Sequence, residues 1–160
     1  MNLSNNLPEN YTYCPATNAD TAEVVLVVRQ VMEEFGLLQG NEQALEDLED
    51  IEQHYRKGFF GLLKNEKAQA IATFALYPLA DQTVELRKMY LLPAYRSQGL
   101  GKWMLHFLLQ KAKDLGYEKI VLQTASGLEA AIALYRKMGF DEVTSSNASP
   151  QCDRAFAMNL

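Results

Sequence analysis

Residues 84–124 constrain the fold more than any other part of the chain, because their hydrophobic period changes twice. Residues 84–92 alternate as a strand does, residues 100–115 carry apolar side chains at helical spacing, and residues 120–124 form a short apolar run again. A helix that joins two strands in this way allows a right-handed crossover, which makes the two strands parallel. The pattern predicts a strand–helix–strand unit.

Further strands and helices are predicted on both sides of this unit. A first helix begins near Asp20 and ends at Gly36, and a second follows Asn41 and ends at Gly58, with Asp47 and its acidic neighbours facing solvent. Turn residues separate the remaining apolar runs, which predicts an antiparallel meander followed by a last helix and two closing strands. The runs are 59–64, 70–77 and 84–92 for the meander, 128–138 for the helix, and 142–144 and 154–158 for the last strands.

These elements predict an α+β fold with a mixed, mostly antiparallel twisted sheet and helices on both of its faces. The length of 160 residues corresponds to a single domain that spans residues 1–160. We see no internal repeat and no long linker in the sequence.

The composition argues against several classes of function. The formal charge of −5 argues against a nucleic-acid partner, which requires a basic face. No apolar run reaches the roughly 18 residues of a membrane span, and residues 1–6 do not resemble a secretory leader. Cys14 and Cys152 make neither a disulfide framework nor a metal-ligand spacing. We therefore expect a soluble, cytoplasmic protein, monomeric or homodimeric, that holds no metal.

The loop between the strand and the helix of the central unit has the sequence Arg96-Ser97-Gln98-Gly99-Leu100-Gly101-Lys102. The first N–H groups of a helix lack intrahelical partners, and glycines allow a diphosphate to approach them closely. Arg96 and Trp103 break the pattern of a nucleotide P-loop, and Met104 breaks that of a dinucleotide fingerprint. The loop predicts a diphosphate site of another kind, with a plain glycine-containing helix entry as the alternative.

Three segments together resemble the GCN5-related N-acetyltransferases. They are Glu85-Leu86-Arg87-Lys88-Met89-Tyr90-Leu91-Leu92-Pro93, Arg96-x-x-Gly99-x-Gly101, and Ala131-x-x-Leu134-Tyr135-x-x-x-Gly139-Phe140. The family signature is Gln/Arg-x-x-Gly-x-Gly/Ala, and the resemblance covers essentially the whole chain in element order. It implies a bulge in the strand before the loop and a parallel strand pair that splays to open a cleft. Many members carry an Asn seven residues before the tyrosine, where this chain has Leu128.

The resemblance implies acetyl-CoA as the acyl donor, with its pantetheine arm along the strand backbone and its pyrophosphate on the loop. The cofactor-binding residues expected from it are Met89, Tyr90, Leu91, Arg96, Ser97, Gln98, Gly99, Leu100, Gly101, Lys102, Ala131 and Tyr135.

Direct attack of an amine on a thioester requires a base, a donor for the oxyanion and an acid for the departing sulfur. Glu85 is the candidate base, because its register before the loop matches glutamate bases in part of the family. Strand alternation would place Glu85 on the same face as Met89 and Leu91. Tyr135, at the tyrosine position of the family, is the candidate acid. A simple ion pair for Glu85 and a core-packing role for Tyr135 remain the alternatives.

The resemblance also implies that the first two helices and the segment between them form the acceptor side. The candidate substrate residues are Glu34, Tyr55, Tyr77 and Arg87. The predicted activity is transfer of an acetyl group from acetyl-CoA to a primary amine of a small molecule or peptide. A non-catalytic acyl-CoA-binding sensor or interaction module is the alternative.

Overall fold

The computed structural model describes residues 7–144 and 151–160. Residues 1–6, which do not resemble a secretory leader, lie outside the described residues. The strands are β1 (Thr12–Pro15), β2 (Phe59–Lys64), β3 (Ala70–Pro78), β4 (Thr83–Leu91), β5 (Lys119–Thr124), β6 (Asp141–Val143) and β7 (Arg154–Asn159). The α-helices are α1 (Thr21–Glu34), α2 (Ile51–His54), α3 (Leu100–Asp114) and α4 (Glu129–Lys137).

The strands form a seven-stranded sheet in the order β1-β2-β3-β4-β5-β7-β6. Strands β1 to β4 are antiparallel neighbours, β4 and β5 are parallel across the α3 crossover, and β7 pairs antiparallel with both β5 and β6. The β4–β5 pairing runs only from Thr83↔Lys119 to Leu86↔Leu122, although both strands continue beyond it. The predicted mixed sheet and its splayed parallel pair are therefore confirmed.

Helices cover both faces of the sheet, as predicted. The helices α3 and α4 pack on one face, where Leu105, Leu108 and Ile132 meet Phe74 and Phe156. On the other face α1, α2 and the segment between them pack against β2 and β3. The members of that second cluster include Val24, Val28, Met32, Leu48, Ile51, Tyr55, Leu62 and Ala75.

The second predicted helix is not one continuous α-helix, and in this respect the prediction was wrong. Glu42–Asp50 winds as a 3₁₀ helix, and α2 is a separate helix of four residues that ends before Gly58. The break lies at Asp50, whose non-helical backbone (φ −144°, ψ 79°) lets its side chain accept a hydrogen bond from the Gln53 N–H. Asp50 therefore acts as a new N-cap, and the helix restarts after it.

A β-bulge interrupts β4 opposite Phe74. Thr73 pairs with Tyr90 and Ala75 with Arg87, so Lys88 and Met89 together face a single residue of β3. Lys88 adopts a left-handed backbone (φ 52°), and its carbonyl accepts a 2.6 Å hydrogen bond from the Thr73 hydroxyl. One extra residue shifts the alternation of side chains beyond it by one position.

The expectation that Glu85 shares a face with Met89 and Leu91 is therefore wrong. Met89 and Leu91 pack on the α3–α4 side, with Val84 and Leu86. Glu85 pairs with Arg87. The Arg87 guanidinium lies over Tyr77, which packs on the α1 side.

Gly58 is required where the chain enters β2, because a Cβ atom there would lie 1.9 Å from the carbonyl oxygen of Leu76. Backbone oxygens cannot rotate away, so we expect Gly58→Ala to lower the free energy of unfolding by about 3 kcal/mol, measured by urea denaturation. A Cβ atom at Gly127 would meet nothing within 4 Å. Gly127→Ala is the control and should unfold at nearly the wild-type urea concentration, and equal midpoints for the two variants would contradict the argument.

Candidate active site

A cleft of about 1160 Å³ opens where β4 and β5 diverge. Its lining residues come from the glycine loop, from α4 with the turn before it, and from the end of α1 with the 3₁₀ segment. Residues of β4 also border the cleft. The cleft therefore joins the elements that the sequence assigned to a donor and to an acceptor.

The glycine loop leads into the N-terminus of α3. Gly99 is the N-cap with a left-handed backbone (φ 83°), and the Trp103 N–H donates to its carbonyl over 3.0 Å. The N–H groups of the three residues between them precede the first hydrogen bond of the helical ladder. A Cβ atom at Gly99 would meet nothing within 4 Å, and one at Gly101 would lie 3.8 Å from Leu134. The space beside Gly99 is thus open to a ligand, as a diphosphate on the helix N-terminus requires, while at Gly101 a Cβ atom would fit in contact with Leu134.

Arg96 binds Glu34 instead of standing alone in the loop. Its two terminal nitrogens each donate to one Glu34 carboxylate oxygen over 2.7 Å, and its Nε donates to the Leu91 carbonyl over 3.0 Å. Hydrogen bonding to Arg96 lowers the pKa of Glu34. The sequence placed these two residues in separate cofactor and substrate sets, whereas the fold brings them together as a link between α1 and the loop.

The other residues expected at the cofactor divide into two groups. One group lines the cleft, and the other group does not border it. In the second group, Leu100 is buried in the core, and the Gln98 side chain accepts a 2.8 Å hydrogen bond from the Tyr11 hydroxyl. The lining group is Met89, Tyr90, Leu91, Arg96, Ser97, Gly101, Ala131 and Tyr135, and the other group is Gln98, Gly99, Leu100 and Lys102.

Tyr135 lies on α4 and borders the cleft while its ring packs against Phe140 and Phe156, with ring centroids 5.7 and 6.2 Å away. Burial raises the pKa of Tyr135, and the nearby Tyr90 hydroxyl raises it further. The hydroxyl therefore keeps its proton at neutral pH, and its proton is available as a hydrogen-bond donor inside the cleft.

A charged cluster on the acceptor side includes two residues that the sequence analysis did not select. The Lys88 ammonium lies 3.2 Å from the Asp47 carboxylate, which also accepts a hydrogen bond from the Tyr55 hydroxyl. Burial lowers the pKa of Lys88 and raises that of Tyr55. Asp47 is 9% exposed, so the expected solvent-facing position is wrong for this residue. The 3₁₀ winding and the bulge at Lys88 place this pair. The family resemblance implied a bulge in this strand but not its position, and the 3₁₀ winding has no clear sequence pattern.

Glu85 and Arg87 form an ion pair beside that cluster. The Arg87 guanidinium carbon lies 3.8 Å from the centre of the Tyr77 ring, and Tyr77 meets Tyr55 edge to face at 5.5 Å. Three of the four candidate substrate residues, Tyr55, Tyr77 and Arg87, thus come together around Glu85, while Glu34 pairs elsewhere. Glu85 therefore makes the ion pair that was the alternative to its role as the base. Glu85 also borders the cleft.

Within residues 7–144 and 151–160, no group of three or more His, Cys, Asp or Glu side chains is arranged to hold a metal ion. The helices of the same residues are all too short or too polar to cross a bilayer.

Comparisons with known proteins agree on one family. Residues 27–140 match the sequence profile of the Acetyltransferase (GNAT) family. The chain is 29% identical over 147 residues to YjgM, described as an uncharacterized N-acetyltransferase of Escherichia coli (strain K12), and the alignment covers 88% of each protein.

Two solved structures share the fold. A GNAT-family acetyltransferase from Staphylococcus aureus Mu50 superposes with a TM-score of 0.85 at 23% identity, covering 93% of this chain and 98% of that one. The PaiA N-acetyltransferase from Thermoplasma acidophilum, solved with coenzyme A, superposes with a TM-score of 0.73 at 16% identity, covering 94% and 99%.

Proposed function

The chain belongs to the GNAT acetyltransferase family, and we propose that it transfers an acetyl group from acetyl-CoA to a primary amine of a small molecule or peptide. The observation that carries the proposal is that Glu85, Tyr135 and Gly101 border one cleft. We further expect it to act in the cytoplasm as a monomer or homodimer, without nucleic acid, membrane or metal.

The donor half of the cleft has the features that coenzyme A requires. The N–H groups at the start of α3 would bind the pyrophosphate, next to the open space beside Gly99. The backbone of residues 89–91 would pair with the pantetheine arm, because β4 has lost its β5 partner there. The coenzyme A bound to the Thermoplasma relative supports this ligand. Arg96 would hold the loop in place through Glu34.

In the proposed reaction acetyl-CoA supplies an activated thioester, which the amine attacks directly in a ternary complex. Glu85 takes a proton from the attacking amine. A backbone N–H freed by the bulge at Lys88 donates to the carbonyl oxygen as charge develops there. Tyr135, kept protonated by its burial, donates to the departing sulfur.

The test is a thiol-release assay with purified protein, acetyl-CoA and a panel of amines. The panel contains polyamines, amino acids, aminoglycosides and peptides with free N-termini, and a reaction without amine corrects for hydrolysis. We expect saturable turnover with at least one class. Saturable binding of coenzyme A without turnover on the whole panel would instead favour the non-catalytic sensor or interaction module.

Removal of the Tyr135 hydroxyl should slow catalysis without weakening donor binding. A thiol has a pKa near 8.5 and leaves readily as thiolate, so we expect Tyr135→Phe to lower kcat by only about 10- to 100-fold. Phenylalanine keeps the ring contacts with Phe140 and Phe156, so the dissociation constant for coenzyme A should stay within about twofold.

The matched control is Tyr117→Phe, which removes a hydroxyl that donates to the Lys57 carbonyl and lies outside the cleft. This control should retain the wild-type kcat. A Tyr135→Phe enzyme with unchanged kcat would assign Tyr135 to core packing alone.

A further inference from the structure

The bulge in β4 places two cationic side chains on one side of the sheet. Arg87 and Lys88 are consecutive, and a regular strand would direct them to opposite faces. Because Lys88 has a left-handed backbone, both side chains instead reach the acceptor side, where Lys88 meets Asp47 and Arg87 lies over Tyr77.

Four charged side chains on the acceptor side form two ion pairs, Asp47 with Lys88 and Glu85 with Arg87. As a group they carry two negative and two positive charges, so the cluster as a whole offers a partner of each sign. An acceptor that brings one charge of each sign preserves the balance.

Arg87 is the member of the group that a ligand can reach. Its side chain is 32% exposed, against 10–12% for the other three, and it borders the cleft. The guanidinium is held over the Tyr77 ring, and the bond to Glu85 uses Nε, which carries one of the five N–H groups of the side chain. A guanidinium held in this way is suited to bind a carboxylate.

We propose that the acceptor amine carries a carboxylate close to the reacting nitrogen, as an α-amino acid does, and that Arg87 binds this carboxylate beside Glu85. Both groups of an α-amino acid are attached to one carbon atom, so their site requires a cation and an anion in contact. Glu85 and Arg87 provide this arrangement two residues apart on β4. The inference rests on the proposed function, since it names the substrate class of the same site.

The experiment compares each of the twenty amino acids with its carboxamide, which removes the negative charge and keeps the shape. The amide has the less basic amine, so intrinsic reactivity at neutral pH favours the amide. A lost hydrogen bond to a charged group weakens binding by about 10- to 100-fold, so for accepted side chains we expect kcat/KM to favour the acid by at least about tenfold.

Arg87→Gln should remove this preference. We expect kcat/KM for the acid to fall at least about tenfold, and the ratio of acid to amide to approach one. A merely structural role for Arg87 would slow both substrates alike and leave the ratio unchanged. Arg29→Gln, at an exposed position of α1, is the matched control and should keep the wild-type ratio.

Calorimetric titration of the protein saturated with coenzyme A measures the same preference without turnover. Tighter binding of the acids than of the amides supports the carboxylate site even if the enzyme proposal fails. Equal binding and equal kcat/KM for each pair, or no response to any of the twenty, overturns the inference. The proposed function would survive that result if other amines release thiol.

Discussion

Replacement of Gly99 by aspartate is expected to raise the dissociation constant for coenzyme A by more than about 100-fold, measured by calorimetric titration. A side chain at this position would enter open space beside the N-terminus of α3. Its carboxylate would repel the diphosphate and would itself accept hydrogen bonds from the first N–H groups of the helix, as N-cap aspartates do. The variant would thus both block the proposed anion site and occupy its donors.

The matched control is Gly116→Asp, at the other end of α3. Gly116 also has a left-handed backbone (φ 89°) and open space around it, so the substitution carries a similar strain. We expect both variants to lose comparable stability, whereas only Gly99→Asp loses coenzyme A binding. Wild-type affinity in Gly99→Asp would show that the loop is not the phosphate site.

Glu85→Gln is expected to lower kcat by about 100- to 1000-fold, as removal of a general base does. Glutamine keeps the shape of the side chain and an oxygen that can accept from Arg87, but it cannot take a proton. Coenzyme A affinity should remain unchanged, because Glu85 lies on the acceptor side of β4. Initial rates at saturating substrates measure kcat, and calorimetric titration with coenzyme A measures the affinity.

Glu142→Gln is the control for the loss of an ion pair as such. Glu142 bonds to Arg136 at 2.9 Å and to Arg154 at 2.7 Å, and it does not border the cleft. We expect this variant to keep the wild-type kcat. If Glu85→Gln also retained full activity, Glu85 would serve only as the partner of Arg87.

Several features of the protein follow from short stretches of sequence. The change of period around the loop predicts the β4–α3–β5 crossover, because strand and helix each impose a local spacing on their apolar residues. The glycines at 99 and 101 predict an open helix N-terminus, since that property depends only on the residues at the helix start. The family resemblance, which rests on side chains within residues 84–140, predicted the splay and the bulge.

Other features depend on contacts between residues far apart in the chain, and local patterns do not contain them. The family resemblance implies that Arg96 binds the pyrophosphate and that Glu34 faces the acceptor, yet these two residues, 62 positions apart, bind each other. Likewise, Asp47 turns inward because the 3₁₀ segment packs over the bulge, where Lys88 meets it.

The chain's own pattern was therefore enough to predict the parallel strands of the crossover and the glycine loop, and the family resemblance added the cleft. The partners of the charged side chains required the folded molecule, because an ion pair depends on which elements meet in space. The bulge shows the difference most clearly. Because Lys88 has a left-handed backbone, every later side chain of β4 lies on the face opposite to the one that regular alternation would give it. Glu85 and Met89 are therefore on different faces, whereas Arg87 and Lys88 are on the same one.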